Sequence, residues 1–101
     1  MKEILFVDDV RFPNAWKEVV NEVTIARTYE QALKNLAVFK FNIIDLDHDL
    51  GEEKTGYDVA KFMIENNVQC DKVYIHSANP VGVFNMKQLL EHYGYIVEIY
   101  N

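Results

Sequence analysis

The chain has 101 residues, half of them hydrophobic and 26% charged, the profile of one compact globular domain spanning 1–101 rather than a disordered or fibrous segment. Its formal charge of −6, with no basic run, argues against a nucleic-acid duplex as main partner, and no apolar run approaches the roughly 20 residues needed to cross a bilayer. A lone cysteine, Cys70, forms no internal disulfide and the N-terminus carries no signal-peptide pattern, so the cytoplasm is the expected compartment.

In chain order, Ile4-Leu5-Phe6-Val7 is a short apolar run ending in Asp8 and Asp9, which predicts a strand buried on both faces with its polar end at the sheet margin. Pro13 suits a first helical turn, and Trp16, Val19, Val20 and Val23 then supply one apolar helical face. Residues 23–26 read as a short strand. Thr28 with Gln31 three positions later fits a capping box ahead of Ala32, Leu33, Leu36 and Ala37. Residues 41–47 form the third strand. A charged, glycine-containing loop leads to Thr55, which caps a third helix through Val59, Ala60, Phe62 and Met63. Val73-Tyr74-Ile75 is the fourth strand, Asn79-Pro80 begins a fourth helix that Gly94 stops, and residues 95–100 are the fifth strand.

Strand and helix thus alternate, and right-handed crossovers give an α/β fold. The expectation is a flavodoxin-like five-stranded parallel sheet, order 2-1-3-4-5, covered on both faces and lacking the final helix. A chain of this size buries only roughly 60 to 70% of its unfolded surface. A homodimer or a partner protein is therefore expected over the β5 side.

In this topology four polar strings land on the sheet edge where open α/β folds bind ligands. Asp8 and Asp9 closing one strand, with Asp47 closing another, bring like charges together; these repel unless a cation sits among them, and Mg²⁺ or Mn²⁺ suits such oxygen ligands. Asp49 joins the candidate metal ligands. Acids at strand ends also begin turns and cap helices, which is the bland alternative for Asp8 and Asp9. His48 fits a ligand, a general acid or base, or a hydrogen-bond brace; His76, at the end of the neighbouring strand, allows two imidazoles to share acid and base duties. Ser77 and Asn79 add a hydroxyl and an amide, Gly82 aids a phosphate cradle at the start of the fourth helix, and Arg11 is a phosphate clamp or an unpaired surface arginine. Asn79-Pro80 also reads as ordinary capping. Cys70 is expected to be an inert packing residue.

Leu5-Phe6-Val7-Asp8-Asp9-Val10-Arg11-Phe12-Pro13, Arg27-Thr28-Tyr29, Leu46-Asp47-His48-Asp49-Leu50-Gly51, Thr55-Gly56-Tyr57-Asp58 and His76-Ser77-Ala78-Asn79-Pro80 resemble the cyclic-phosphate-processing receiver-like domains, relatives of response-regulator receivers. The resemblance implies that Asp8 and Asp9 match the metal-binding acids, Asp47 the phosphoacceptor position and Ser77 the hydroxyl residue. Ordinary receivers carry a Lys-Pro pair after the fifth strand; Ile96-Val97-Glu98-Ile99-Tyr100-Asn101 has no lysine, which sets this chain apart from the phosphorylation switch. The two histidines then imply processing of a cyclic phosphate or cyclic nucleotide. The expected function is a metal-dependent phosphoesterase with His48 and His76 exchanging protons. The alternatives are a non-catalytic module that binds a phosphorylated nucleotide or signalling partner, and a receiver phosphorylated at Asp47. Asp45 is acidic where the family has no need of an acid.

Overall fold

A computed structural model describes residues 2–100. Five strands, β1 (Lys2–Val7), β2 (Val23–Ala26), β3 (Phe41–Leu46), β4 (Lys72–His76) and β5 (Val97–Tyr100), form one sheet in the order β2-β1-β3-β4-β5. Every neighbouring pair is parallel, as the flavodoxin-like reading requires. The helices α1 (Tyr29–Val38), α2 (Gly56–Glu65) and α3 (Pro80–His92) provide three of the crossovers.

Strand side chains alternate between faces. Leu5, Val7, Ile44, Leu46, Val73 and Ile75 share one face, where they join Leu36 of α1, Met63 of α2 and Leu90 of α3 in a single buried cluster. The opposite face carries Phe6, Asp45, Tyr74 and His76, with Phe6 beside Asp45, Asp45 beside Tyr74, and His76 beside Tyr100. Only a 3₁₀ segment, Asn14–Glu22, packs there among the described residues. The helix expected after Pro13 is therefore corrected: the segment is kinked at Trp16 and Val19, buries none of its residues, and leaves Val19 and Val20 36% and 42% exposed. Two physical causes are visible. The β-branched pair Val19-Val20 favours helix weakly, and the Trp16 indole N–H donates to Asp45 Oδ2 at 2.6 Å, a contact made with a non-helical backbone at Trp16. Coverage of both faces by α-helices is corrected with it.

The caps follow the sequence closely. Thr28 accepts from the Gln31 amide at 3.1 Å, while Gln31 Oε1 reaches one residue further back than a capping box, to the Arg27 amide. Thr55 and Asp58 form the complete reciprocal box on α2. Asn79 Oδ1 accepts from the Gly82 amide at 3.0 Å with Pro80 in the first turn of α3, and Gly94 takes the positive φ of +91° beyond its end. No helix follows β5 among the described residues, and Ile96 and Ile99 stand 65% and 43% exposed there. No described helix is long and apolar enough to cross a membrane.

Candidate functional site

The parallel register brings the ends of β1, β3 and β4 to one place. Asp8, first residue beyond β1, has its Oδ1 in a turn, accepting from the Val10 and Arg11 amides at 2.9 and 2.8 Å. Asp47, just beyond β3, is held by its own amide donating to the Val7 carbonyl at 2.9 Å. Asp8, Asp47 and His76 are all buried, and a ligand atom from each lies within 4.8 Å of the others.

His76 is enclosed. Its Nδ1 is 2.5 Å from Asp45 Oδ1 and its Nε2 is 2.8 Å from Asp8 Oδ2, and the ring stacks on Phe6 at 4.7 Å with only 5° between planes. Asp45 Oδ2 accepts from Trp16 and from the Tyr100 hydroxyl in a short hydrogen bond. With a carboxyl oxygen against each ring nitrogen, both nitrogens are placed to donate, the arrangement that suits the imidazolium form. Burial disfavours that charge, but the hydrogen bonds and charges of Asp45 and Asp8, with Asp47, raise the His76 pKa above 6.5. Burial likewise opposes the Asp8 charge, yet the Arg11 and Val10 amides and His76 outweigh it and hold this carboxyl below the usual range. The Tyr100 hydroxyl is pushed up by its burial and by Asp45.

The remaining sequence candidates lie around this centre. Asp9 rests on the 47–51 loop, where its Oδ2 is 2.8 Å from the position a Cβ would take on Gly51; it is outside the Asp8, Asp47 and His76 group. Asp49 is also outside that group; its Oδ1 is 3.0 Å from His48 Nδ1 and its side chain is 63% exposed. The carboxylate makes Nδ1 the donor, and no hydrogen bond consumes the His48 Nε2 among the described residues. Asn79 Nδ2 approaches the same Nδ1 at 3.5 Å, long for a hydrogen bond. Gly82 has its amide spent on the Asn79 cap; a Cβ there would lie 2.5 Å from the His48 ring, so its contribution is room for the imidazole. Ser77 is nearly buried, and its Oγ accepts from the Asn79 amide at 3.2 Å. Arg11 is half exposed, with Nε 3.9 Å from Asp8 Oδ2. A cavity of about 520 Å³ opens beside His76, walled by Phe6, Arg11, Phe12, Asn14 and Tyr100, a size that suits a small ligand.

Gly56 sets the approach of α2 to the site. Its amide donates to the His48 carbonyl at 2.8 Å, and a Cβ would stand 2.0 Å from the Asp47 carbonyl oxygen. Gly56→Ala is expected to destabilise the fold by about 3 kcal/mol, the upper end for overpacking, in urea denaturation. An unchanged midpoint would mean that α2 slides away without cost.

Several members of the site were not assigned a role in the sequence. Asp45 showed one signal, an acid in a strand interior, but Trp16 looked like helix core and Tyr100 like strand filling. Arg27 donates from one guanidinium nitrogen to the Asp8 and Arg11 carbonyls, at 3.2 and 2.7 Å, and so braces the loop after β1. Cys70 fits the packing role: burial pushes its thiol up to about 11.

The donors suit a divalent cation. Asp47 is buried and faces Asp8, and both conditions raise its pKa; Ser77, His76 and Arg11 offset this only in part. A raised carboxyl destabilises the fold as it ionises with rising pH, and a cation beside it relieves that penalty. The hard carboxylate oxygens match Mg²⁺ or Mn²⁺.

Among solved structures, a response regulator from Thermotoga maritima, TrrA, described in complex with Mg²⁺-BeF, is 24% identical with a TM-score of 0.67, covering 100% of this chain and 90% of that one. A signal receiver domain of a LuxO repressor protein from Vibrio parahaemolyticus is 19% identical with a TM-score of 0.68, over 99% and 80%. A CheY-like receiver domain protein from Methanospirillum hungatei is 21% identical with a TM-score of 0.62, over 100% and 84%. At these identities the likeness shows the fold. No curated protein matches. The family model described as "Cyclic-phosphate processing Receiver domain" matches residues 3–92, which takes in every motif of the strand-end site, and the chain belongs to that family.

Proposed function

We propose that this receiver domain is a divalent-metal-dependent phosphoesterase that opens a cyclic phosphodiester, in a cyclic nucleotide or another cyclic phosphate. The observation that carries the reading is the buried Asp8 and Asp47 pair, whose oxygens converge with the Ser77 hydroxyl and the His48 loop close by. Asp8 and Asp47, with Asp9 and Asp49 at the margin, are the residues to hold Mg²⁺ or Mn²⁺. When bound, such an ion supplies Lewis-acid stabilisation of charge on the phosphoryl oxygens.

The chain's own groups divide the remaining work. His48, oriented by Asp49 through Nδ1, takes a proton from the attacking water at Nε2 and returns it to the leaving alkoxide as the P–O bond breaks. Both His76 nitrogens are engaged, so its role narrows from the expected proton exchange to a fixed positive charge beside the acids. Arg11, Ser77 and Asn79 Nδ2, whose approach to His48 is long at 3.5 Å, donate to phosphoryl oxygen. Gly82 admits the His48 ring.

Incubation with cyclic mononucleotides, cyclic dinucleotides and 2′,3′-cyclic phosphates, with and without divalent cation, tests the reading. Metal-dependent product is expected; ligand bound and recovered intact would replace it with the non-catalytic binding module. Metal binding has its own readout. Mg²⁺ or Mn²⁺ at a fixed concentration about 100 times its Kd at pH 7.5 is expected to stabilise the fold by about 2.7 kcal/mol there, and by less at pH 5. The sign follows from Asp47: its raised pKa leaves more of it protonated at the lower pH, and the ion must displace that proton. A melting temperature indifferent to both cations at both pH values would remove the metal.

A further inference from the structure

We propose that Asp45 is a positioning residue: from the interior of β3, with Trp16 and Tyr100, it grips the His76 ring and thereby fixes the Asp8 carboxylate in its metal-binding orientation. The inference rests on the metal role proposed for Asp8.

A carboxylate in mid-strand is costly to bury unless its lone pairs are used. Asp45 is fully buried, and three elements supply its donors: Trp16 Nε1 from the 3₁₀ segment at 2.6 Å, the Tyr100 hydroxyl from β5, and His76 Nδ1 from β4 at 2.5 Å. Two of these neighbours also meet His76 or its surroundings by ring contact. Tyr100 lies tilted against the imidazole at 5.6 Å, and the indole meets Tyr74 edge-on at 5.1 Å. With Phe6 stacked on it and Asp45 on Nδ1, the His76 ring is fixed in plane and position.

A fixed ring fixes what its other nitrogen touches. Nε2–H is directed at Asp8 Oδ2 at 2.8 Å, while Asp8 Oδ1 is tied to the Val10 and Arg11 amides. Both oxygens of Asp8 are thus oriented, one by its own turn and one through His76. The chain of contact runs from Asp45 through the imidazole to Asp8, and Asp45 acts only through His76. Groups that orient a ligand from behind in this way typically change metal affinity or activity by roughly 10 to 100-fold when removed.

Asp45→Asn in the whole chain is the test, read by Mn²⁺ titration and by the imidazole N–H resonances of His76. The expected result is a fall of at least about tenfold in Mn²⁺ affinity and a shifted or lost Nδ1–H signal, with the far-UV circular dichroism retained. A folded Asp45→Asn with wild-type affinity and unchanged ring signals overturns the proposal. If that variant does not fold, Tyr100→Phe, which removes one donor and keeps Asp45, must shift the Nδ1–H signal and weaken Mn²⁺; wild-type values for both overturn it equally. Wild-type protein that binds Mn²⁺ but hydrolyses nothing would end the phosphoesterase reading and leave Asp45 standing. Hydrolysis that persists beside unchanged Mn²⁺ affinity in Asp45→Asn would do the reverse.

Discussion

His76→Ala is expected to lower the unfolding free energy by about 3–5 kcal/mol near neutral pH, the usual consequence of removing one partner from a buried ionic group. The imidazolium sits between Asp8 and Asp45, both fully buried, and its loss leaves two carboxylates without their shared cation and Phe6 without its stacked ring. Domains commonly hold only 5–15 kcal/mol in total, so the variant is expected to be partly unfolded at moderate temperature. The gap to wild type depends on pH in a definite direction. The folded pKa of His76 is raised, so its contribution is complete below about 6.5 and fades as pH rises through the folded value. The folded pKa of Asp8 is lowered, so its contribution is present above about 3.8 and fades as pH falls through the folded value. Urea denaturation of both proteins from pH 3 to 9 therefore should show the widest gap in the mildly acidic to neutral range. A loss under about 1 kcal/mol throughout would show that the two acids find other partners.

His48→Ala is expected to behave in the opposite way, losing at least about 100-fold in kcat while keeping the fold, the low end for a positioned acid-base group. Its ring touches the exposed Asp49 and the glycine surface of α3, and no buried charge depends on it. Gly82→Ala gives the same diagnosis from the other side, because its methyl would occupy the ring's place 2.5 Å from Cγ. Single-turnover rates on the substrate found by the panel, set beside melting curves, separate the two histidines. Turnover in His48→Ala within about tenfold of wild type would return His48 to a packing role.

Strand positions, their order and all three α-helices were legible in the sequence because each rests on local chemistry: apolar runs closed by acids, and Thr28, Thr55 and Asn79 at helix starts. The 3₁₀ segment was misread because Trp16, Val19 and Val20 have helical spacing, while the cause of the kink, an indole bonded to a strand carboxylate 29 positions away, is nonlocal. The same limit applies to the site. Asp8, Asp47 and His76 could be brought together by counting strand ends, since topology alone decides that. Asp45 stood out in the sequence only as an acid where the family has no need of one, and local chemistry gave no reason for it. The reason is a set of three donors from three other elements, and pairing of that kind is set by packing on the less covered sheet face.

The indole at position 16 is the chain's single tryptophan. It lies against Tyr74 and holds the carboxylate at the far end of the Asp8, His76 and Asp45 series, so the protein carries a native optical reporter wired to its own pocket. Ultraviolet emission, without any attached dye, should register whatever enters or disturbs that pocket.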